Sequence, residues 1–88
     1  MYLYLGQSTV ISTKEVIGIF DLDNASTSRL TKAFLAGAQK SGKIIEVSDE
    51  LPKSFAVCEK NGETRVYLSQ ISPATLKKRT GFLKELGI

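Results

Sequence analysis

Phe55-Ala56-Val57-Cys58-Glu59-Lys60-Asn61-Gly62-Glu63-Thr64-Arg65-Val66-Tyr67-Leu68-Ser69 decides the fold. Two β-prone runs flank Asn61-Gly62, and Asn-Gly suits a two-residue turn in which both φ angles are positive. Such a turn fixes the register. Lys60 faces Glu63, Cys58 faces Arg65, Val57 faces Val66, Ala56 faces Tyr67 and Phe55 faces Leu68. Phe55, Val57, Val66 and Leu68 then share one side, the expected core side, while Cys58, Arg65 and Tyr67 share the other. Cys58 reads as a small packing residue, because the chain has no histidine to activate a thiol.

Beyond the hairpin, Ser72-Pro73 opens a last helix, with serine as N-cap and proline at the first helical position, where its missing N–H costs nothing. Leu76, Phe82, Leu83 and Leu86 make its apolar side. Lys77, Lys78, Arg79 and Lys84 make it basic, against Glu85 alone. Three consecutive cations fan around about 200° of a helix, so Lys77, Lys78 and Arg79 do not share one direction. The Lys77 side, continued by Lys84, is the more coherent ridge. Gly81 weakens the helix interior by about 1 kcal/mol relative to alanine.

Upstream, Lys43 to Val47 reads as a strand and Ser48 to Lys53 as a loop, since Asp49, Glu50 and Pro52 resist strand continuation. Residues 26–41 form the clearest helix, with Ser26 as N-cap and Ser41-Gly42 as the stop. Leu30, Ala33, Phe34, Gly37 and Ala38 recur at helical spacing and define a single stripe expected to be buried. Arg29, Lys32 and Lys40 lie off it, as solvated helix charges usually do. Val16-Ile17-Gly18-Ile19-Phe20 is nearly continuous apolar, as for a strand covered on both faces, with Gly18 marking a bulge or a close approach. Tyr2-Leu3-Tyr4-Leu5 and Val10-Ile11-Ser12 are two shorter strands, and Thr13-Lys14-Glu15 is a turn. Asp21-Leu22-Asp23-Asn24 begins like a cation loop but lacks its glycine and terminal glutamate, so it reads as a turn or helix lead-in.

The expected architecture is therefore α+β: a mainly antiparallel sheet, one packed internal helix and a C-terminal helix. Eighty-eight residues make one expected domain, residues 1–88, with a thin core that oligomerisation would supplement. One cysteine and no histidine exclude internal disulfides and Cys/His zinc sites, and fit a reducing cytosol. No charged segment precedes a long apolar run, and no apolar stretch spans a bilayer. With no histidine, no glycine-rich phosphate loop and no nucleophile beside a base, an enzyme is not expected, nor is a cofactor, a metal or a small-molecule substrate. The net charge of +3 is unevenly divided. Residues 1–50 carry five Lys/Arg and six Asp/Glu, whereas residues 51–88 carry seven and three. A polyanion would meet the C-terminal part first.

Three stretches carry a resemblance: Tyr2-Leu3-Tyr4-Leu5-Gly6, Ser12 to Asp21 through Gly18-Ile19-Phe20-Asp21, and Ser72-Pro73-Ala74-Thr75-Leu76-Lys77-Lys78-Arg79. Together they resemble the RemA/RemB family of extracellular matrix regulatory proteins, over nearly the whole chain. The resemblance implies a cytoplasmic, non-enzymatic bacterial protein that affects expression of biofilm matrix genes. In the RemA branch it implies sequence-directed DNA binding by a ring-like oligomer, through arginines in the turn before the central N-terminal strand and in the loop leading into the hairpin. Thr13-Lys14-Glu15 and Leu51-Pro52-Lys53-Ser54 occupy those places here. Lys14 and Lys53 keep a positive charge but not the forked guanidinium that reads bases bidentately. Glu15, Asp49 and Glu50 add opposing charge. The resulting candidate DNA contacts are Lys14, Lys53, Lys77, Lys78 and Arg79. DNA and further copies of the chain are the expected partners. An oligomerising protein-interaction module that does not itself bind DNA is the alternative.

Overall fold

The computed structural model describes residues 1–22 and 28–79. Its centre is the expected hairpin. β5 (Ser54–Lys60) and β6 (Glu63–Ser69) pair antiparallel with Lys60 opposite Glu63, Cys58 opposite Arg65, Val57 opposite Val66, Ala56 opposite Tyr67 and Phe55 opposite Leu68. The turn has φ of 53° at Asn61 and 82° at Gly62, which is why this dipeptide sits there.

Two further strands complete a sheet in the order β3-β5-β6-β4. β3 (Val16–Asp21) runs antiparallel to β5, and β4 (Ile44–Glu46) runs parallel to β6. The register of β3 shifts between Val16 and Gly18, so the glycine marks a bulge as expected. A Cβ at Gly18 would lie 2.7 Å from the Phe20 ring. β3 is an edge strand, and its Ile17 and Phe20 are exposed rather than covered on both faces. A separate antiparallel hairpin, β1 (Tyr2–Gly6) with β2 (Thr9–Ser12), precedes the sheet.

Both sides of the β5–β6 hairpin are buried. One side, carrying Phe55, Val57 and Val66, meets Ala38 and Leu35 of α1 (Arg29–Lys40). The other, carrying Ala56, Cys58 and Tyr67, packs with Leu3, Leu5 and Ile11 of the β1–β2 hairpin and with Leu76. Leu76 belongs to a second helix, α2, over residues 73–79. Its N-cap is the expected one: the Ser72 hydroxyl accepts from the Thr75 N–H. Phe82, Leu83, Lys84, Glu85, Leu86 and the Gly81 interruption lie outside the described residues.

The internal helix departs from its expected form. It starts at Arg29, and Ser28 is the N-cap, its hydroxyl accepting from Thr31 N–H at 3.5 Å. The expected cap, Ser26, lies outside the described residues, as do Asp23 and Asn24. The stop is as expected, at Ser41 followed by Gly42. The buried stripe is not. Of its five residues only Ala38 is buried, and Leu30 and Phe34 are exposed. The helix rests on the sheet through Leu35 and Ala38, one turn apart, which turns Leu30 and Phe34 away from full burial. No helix among the described residues is long and apolar enough to cross a membrane.

Candidate nucleic-acid interface

Lys14 is held by the junction of β2 and β3. Thr13–Glu15 forms a single 3₁₀ turn, capped by Ser12, whose hydroxyl accepts the Lys14 N–H at 3.3 Å. The Thr13 N–H and hydroxyl both donate to the Met1 carbonyl, at 2.9 and 3.1 Å. The turn backbone is thus fixed at both sides while the Lys14 side chain is exposed. Glu15, the opposing charge beside it, pairs with Lys60 at 3.8 Å. This pair is exposed at the lysine and adds little stability, but it offsets the carboxylate next to Lys14.

Lys53 is held differently. Its N–H donates to the Ser69 carbonyl at 2.8 Å, and its carbonyl accepts the Leu22 N–H at 3.0 Å. Its backbone therefore joins the ends of β3 and β6, and its side chain is exposed. Lys14 and Lys53 sit at opposite ends of β3. Six strand residues place those ends roughly 20 Å apart. Asp49 and Glu50 are exposed close by in the chain, with the Glu50 N–H bonded to the Ser48 hydroxyl at 3.0 Å.

The third group lies on α2. Lys77, Lys78 and Arg79 are all exposed. They do not point together. Arg79 turns back over β1, donating from Nη1 to the Tyr4 carbonyl at 3.0 Å, with its guanidinium carbon 5.8 Å from the centre of the Tyr4 ring. Lys78 and Arg79 border an open groove of about 550 Å³ along Met1, Tyr2, Leu3 and Tyr4. Thr13, beside Lys14, bonds to Met1, which lines this groove, so Lys14 stands near the α2 cations while Lys53 sits at the far end of β3. Sequence reasoning missed the exposed pair Tyr2 and Tyr4 beside α2. The signal was the alternation in Tyr2-Leu3-Tyr4-Leu5, which places both tyrosines on the side away from Leu3 and Leu5.

Cys58 takes no part in this surface. Burial pushes its thiol up to about 11, and the nearby Glu15 carboxylate acts in the same direction. Among the described residues, no cluster of three or more His, Cys, Asp or Glu could hold a metal ion.

A family model described as extracellular matrix regulatory protein A-like matches residues 3–80, from β1 through α2. The chain belongs to the RemA-like family. It is also 36% identical over 86 residues to extracellular matrix regulatory protein B of Bacillus subtilis (strain 168), covering 98% of each chain. The RemA-like match includes the Lys14 turn, the Lys53 junction and α2, so all five candidate cations lie within the matched residues.

Proposed function

We propose that this RemA-like chain regulates the expression of extracellular matrix genes from the cytoplasm, as a homo-oligomer that contacts DNA mostly through phosphates. The near full-length similarity to extracellular matrix regulatory protein B carries this reading. Lys14, Lys53, Lys77, Lys78 and Arg79 are its candidate contacts, and the protein works by binding rather than by catalysis. Lysine offers a point charge, which suits phosphate more than a base edge.

Neutralising phosphates releases counterions, so affinity for duplex DNA should fall steeply with salt. Fluorescence anisotropy at low and moderate salt tests this. Wild type should bind at low salt, and Lys77→Glu with Lys78→Glu should bind weakly or not at all. Absence of binding by wild type at low salt would overturn the DNA contact. The second reading then stands: an oligomerising protein-interaction module that touches no DNA. Asp49 and Glu50 beside Lys53, and the exposed apolar side chains Leu30 and Leu51, favour it.

A further inference from the structure

Two surfaces of this chain complement each other in shape and charge. The first is on edge strand β3 and helix α1. Ile17, Phe20, Leu30, Phe34, Phe55 and Val57 line an open apolar cleft of about 310 Å³. Leu30 there is 82% exposed. Its neighbours in the chain are cationic: Arg29 and Lys32 are both exposed. The first turn of α1 holds no acid, and its N–H groups add partial positive charge.

The second surface is the loop from edge strand β4 to β5. Leu51 stands 87% exposed, directly after the exposed Asp49 and Glu50. Glu46 of β4 lines the same recess as these residues. One surface is therefore an apolar hollow with Arg29 and Lys32 on its helix side, and the other an apolar knob directly preceded by two acids, with Lys53 following. The cleft reaches edge strand β3 and the recess reaches edge strand β4, and the two linings meet at the paired Phe55 and Leu68.

We propose that Leu51 of one copy docks in the α1–β3 cleft of a second copy, with Asp49 and Glu50 set against Arg29 and Lys32. This rests on the oligomer in the proposed function and names its contact. Pairing α1 against α1 is disfavoured, because residues 29–40 hold three cations and no acid. The knob–cleft contact is heterologous: each added copy presents a fresh knob and a fresh cleft, so the assembly grows until it closes into a ring or extends as a filament. Docking also takes Asp49 and Glu50 out of the approach of DNA to Lys53.

Light scattering on the full chain tests this, together with far-UV circular dichroism to confirm folding. Wild type should run as a multiple of the 9.6 kDa chain. Leu51→Asp and Phe34→Asp should each run at the mass of one chain. Mixed in equal amounts they should form a pair and stop there, since the first keeps an intact cleft and the second an intact knob. If Phe34→Asp does not fold, Leu30→Asp at its exposed position replaces it. Reversing the loop charges, Asp49→Lys with Glu50→Lys, should disperse the assembly, and adding Arg29→Glu with Lys32→Glu to the same chain should restore it. A Leu51→Asp protein that assembles like wild type overturns this contact while the oligomer stands. A monomeric wild type overturns both. Mixed variants that stay monomeric also overturn the contact.

Discussion

Ser69 has no exposed surface, and its hydroxyl is used twice. It donates to the Leu5 carbonyl at 2.7 Å and accepts the Ile71 N–H at 3.1 Å. One small side chain thus ties the β1–β2 hairpin to the end of β6 and shapes the approach to α2. Ser69→Ala leaves a buried carbonyl and a part-buried N–H without that partner, at a cost of about 1–3 kcal/mol. Urea denaturation should show it as a lower midpoint with an unchanged slope. Cys58 makes a second residue-scale prediction. A thiol raised from 9.0 to about 11 has roughly a hundred-fold less thiolate at pH 8. Its reaction with a disulfide reagent should be slower than that of a free thiol by at least this factor, and should rise to the free rate in denaturant. The direction has a consequence for stability as well. Above pH 9 an unfolded thiol ionises while the buried one stays protonated, so the Cys58 contribution is intact below pH 9 and declines towards about pH 11. The residue-level reading of Cys58 as packing was legible because no histidine is present. The Ser69 bridge was not, because Leu5 lies 64 positions away.

At the scale of elements, the β5–β6 hairpin was fully legible in register. Asn61-Gly62 sets the turn, and the two-residue period of strand side chains then leaves no freedom in which residues share a side. What the hairpin could not reveal was that both of its sides are covered. The second cover comes from β1, β2 and Leu76, all distant in sequence. The α1 stripe fails for a related reason. Periodicity shows which side of a helix is apolar, but how much of that side meets the sheet depends on where the helix sits. Here Leu35 and Ala38 make the contact. The two helices can be probed through their ends. Ser28→Ala removes the α1 cap and should cost about 1 kcal/mol, read from thermal melting. On α2, Arg79→Gln gives up both the Tyr4 carbonyl and the ring contact, and should lower stability by about 0.5–1 kcal/mol. Lys78→Gln, on the same exposed helix, should lower it by less. This difference separates the arginine that holds α2 on β1 from a lysine available for phosphate.

Across the whole molecule, the candidate cations do not all gather in one place, so one copy offers DNA only a few contacts. Lys14 and Lys53 lie about 20 Å apart along β3, and Lys78 borders the groove at Met1, on the Lys14 side. Each phosphate contact by an isolated lysine is weak and screened by salt. Repetition changes this. When several copies are joined, the first contact holds the remaining ones close to the same duplex, and affinity rises without any new kind of contact. The proposed docking of Leu51 should therefore govern DNA binding although it touches no DNA. Leu51→Asp removes no cation and adds one negative charge at a site near Lys53. Charge alone would shift the slope of log affinity against log salt by about one unit. Loss of assembly should do more: the slope should shrink in proportion to the copies lost, and affinity at low salt should fall by 10²-fold or more. Lys53→Gln gives the comparison. It should keep the wild-type mass and reduce the slope in step with one contact per copy. Anisotropy titrations of wild type, Leu51→Asp and Lys53→Gln over the same salt range, with masses measured on the same samples, distinguish the two effects. Equal slopes for wild type and a fully monomeric Leu51→Asp would mean that one copy makes all the contacts, and that assembly serves some purpose other than DNA binding.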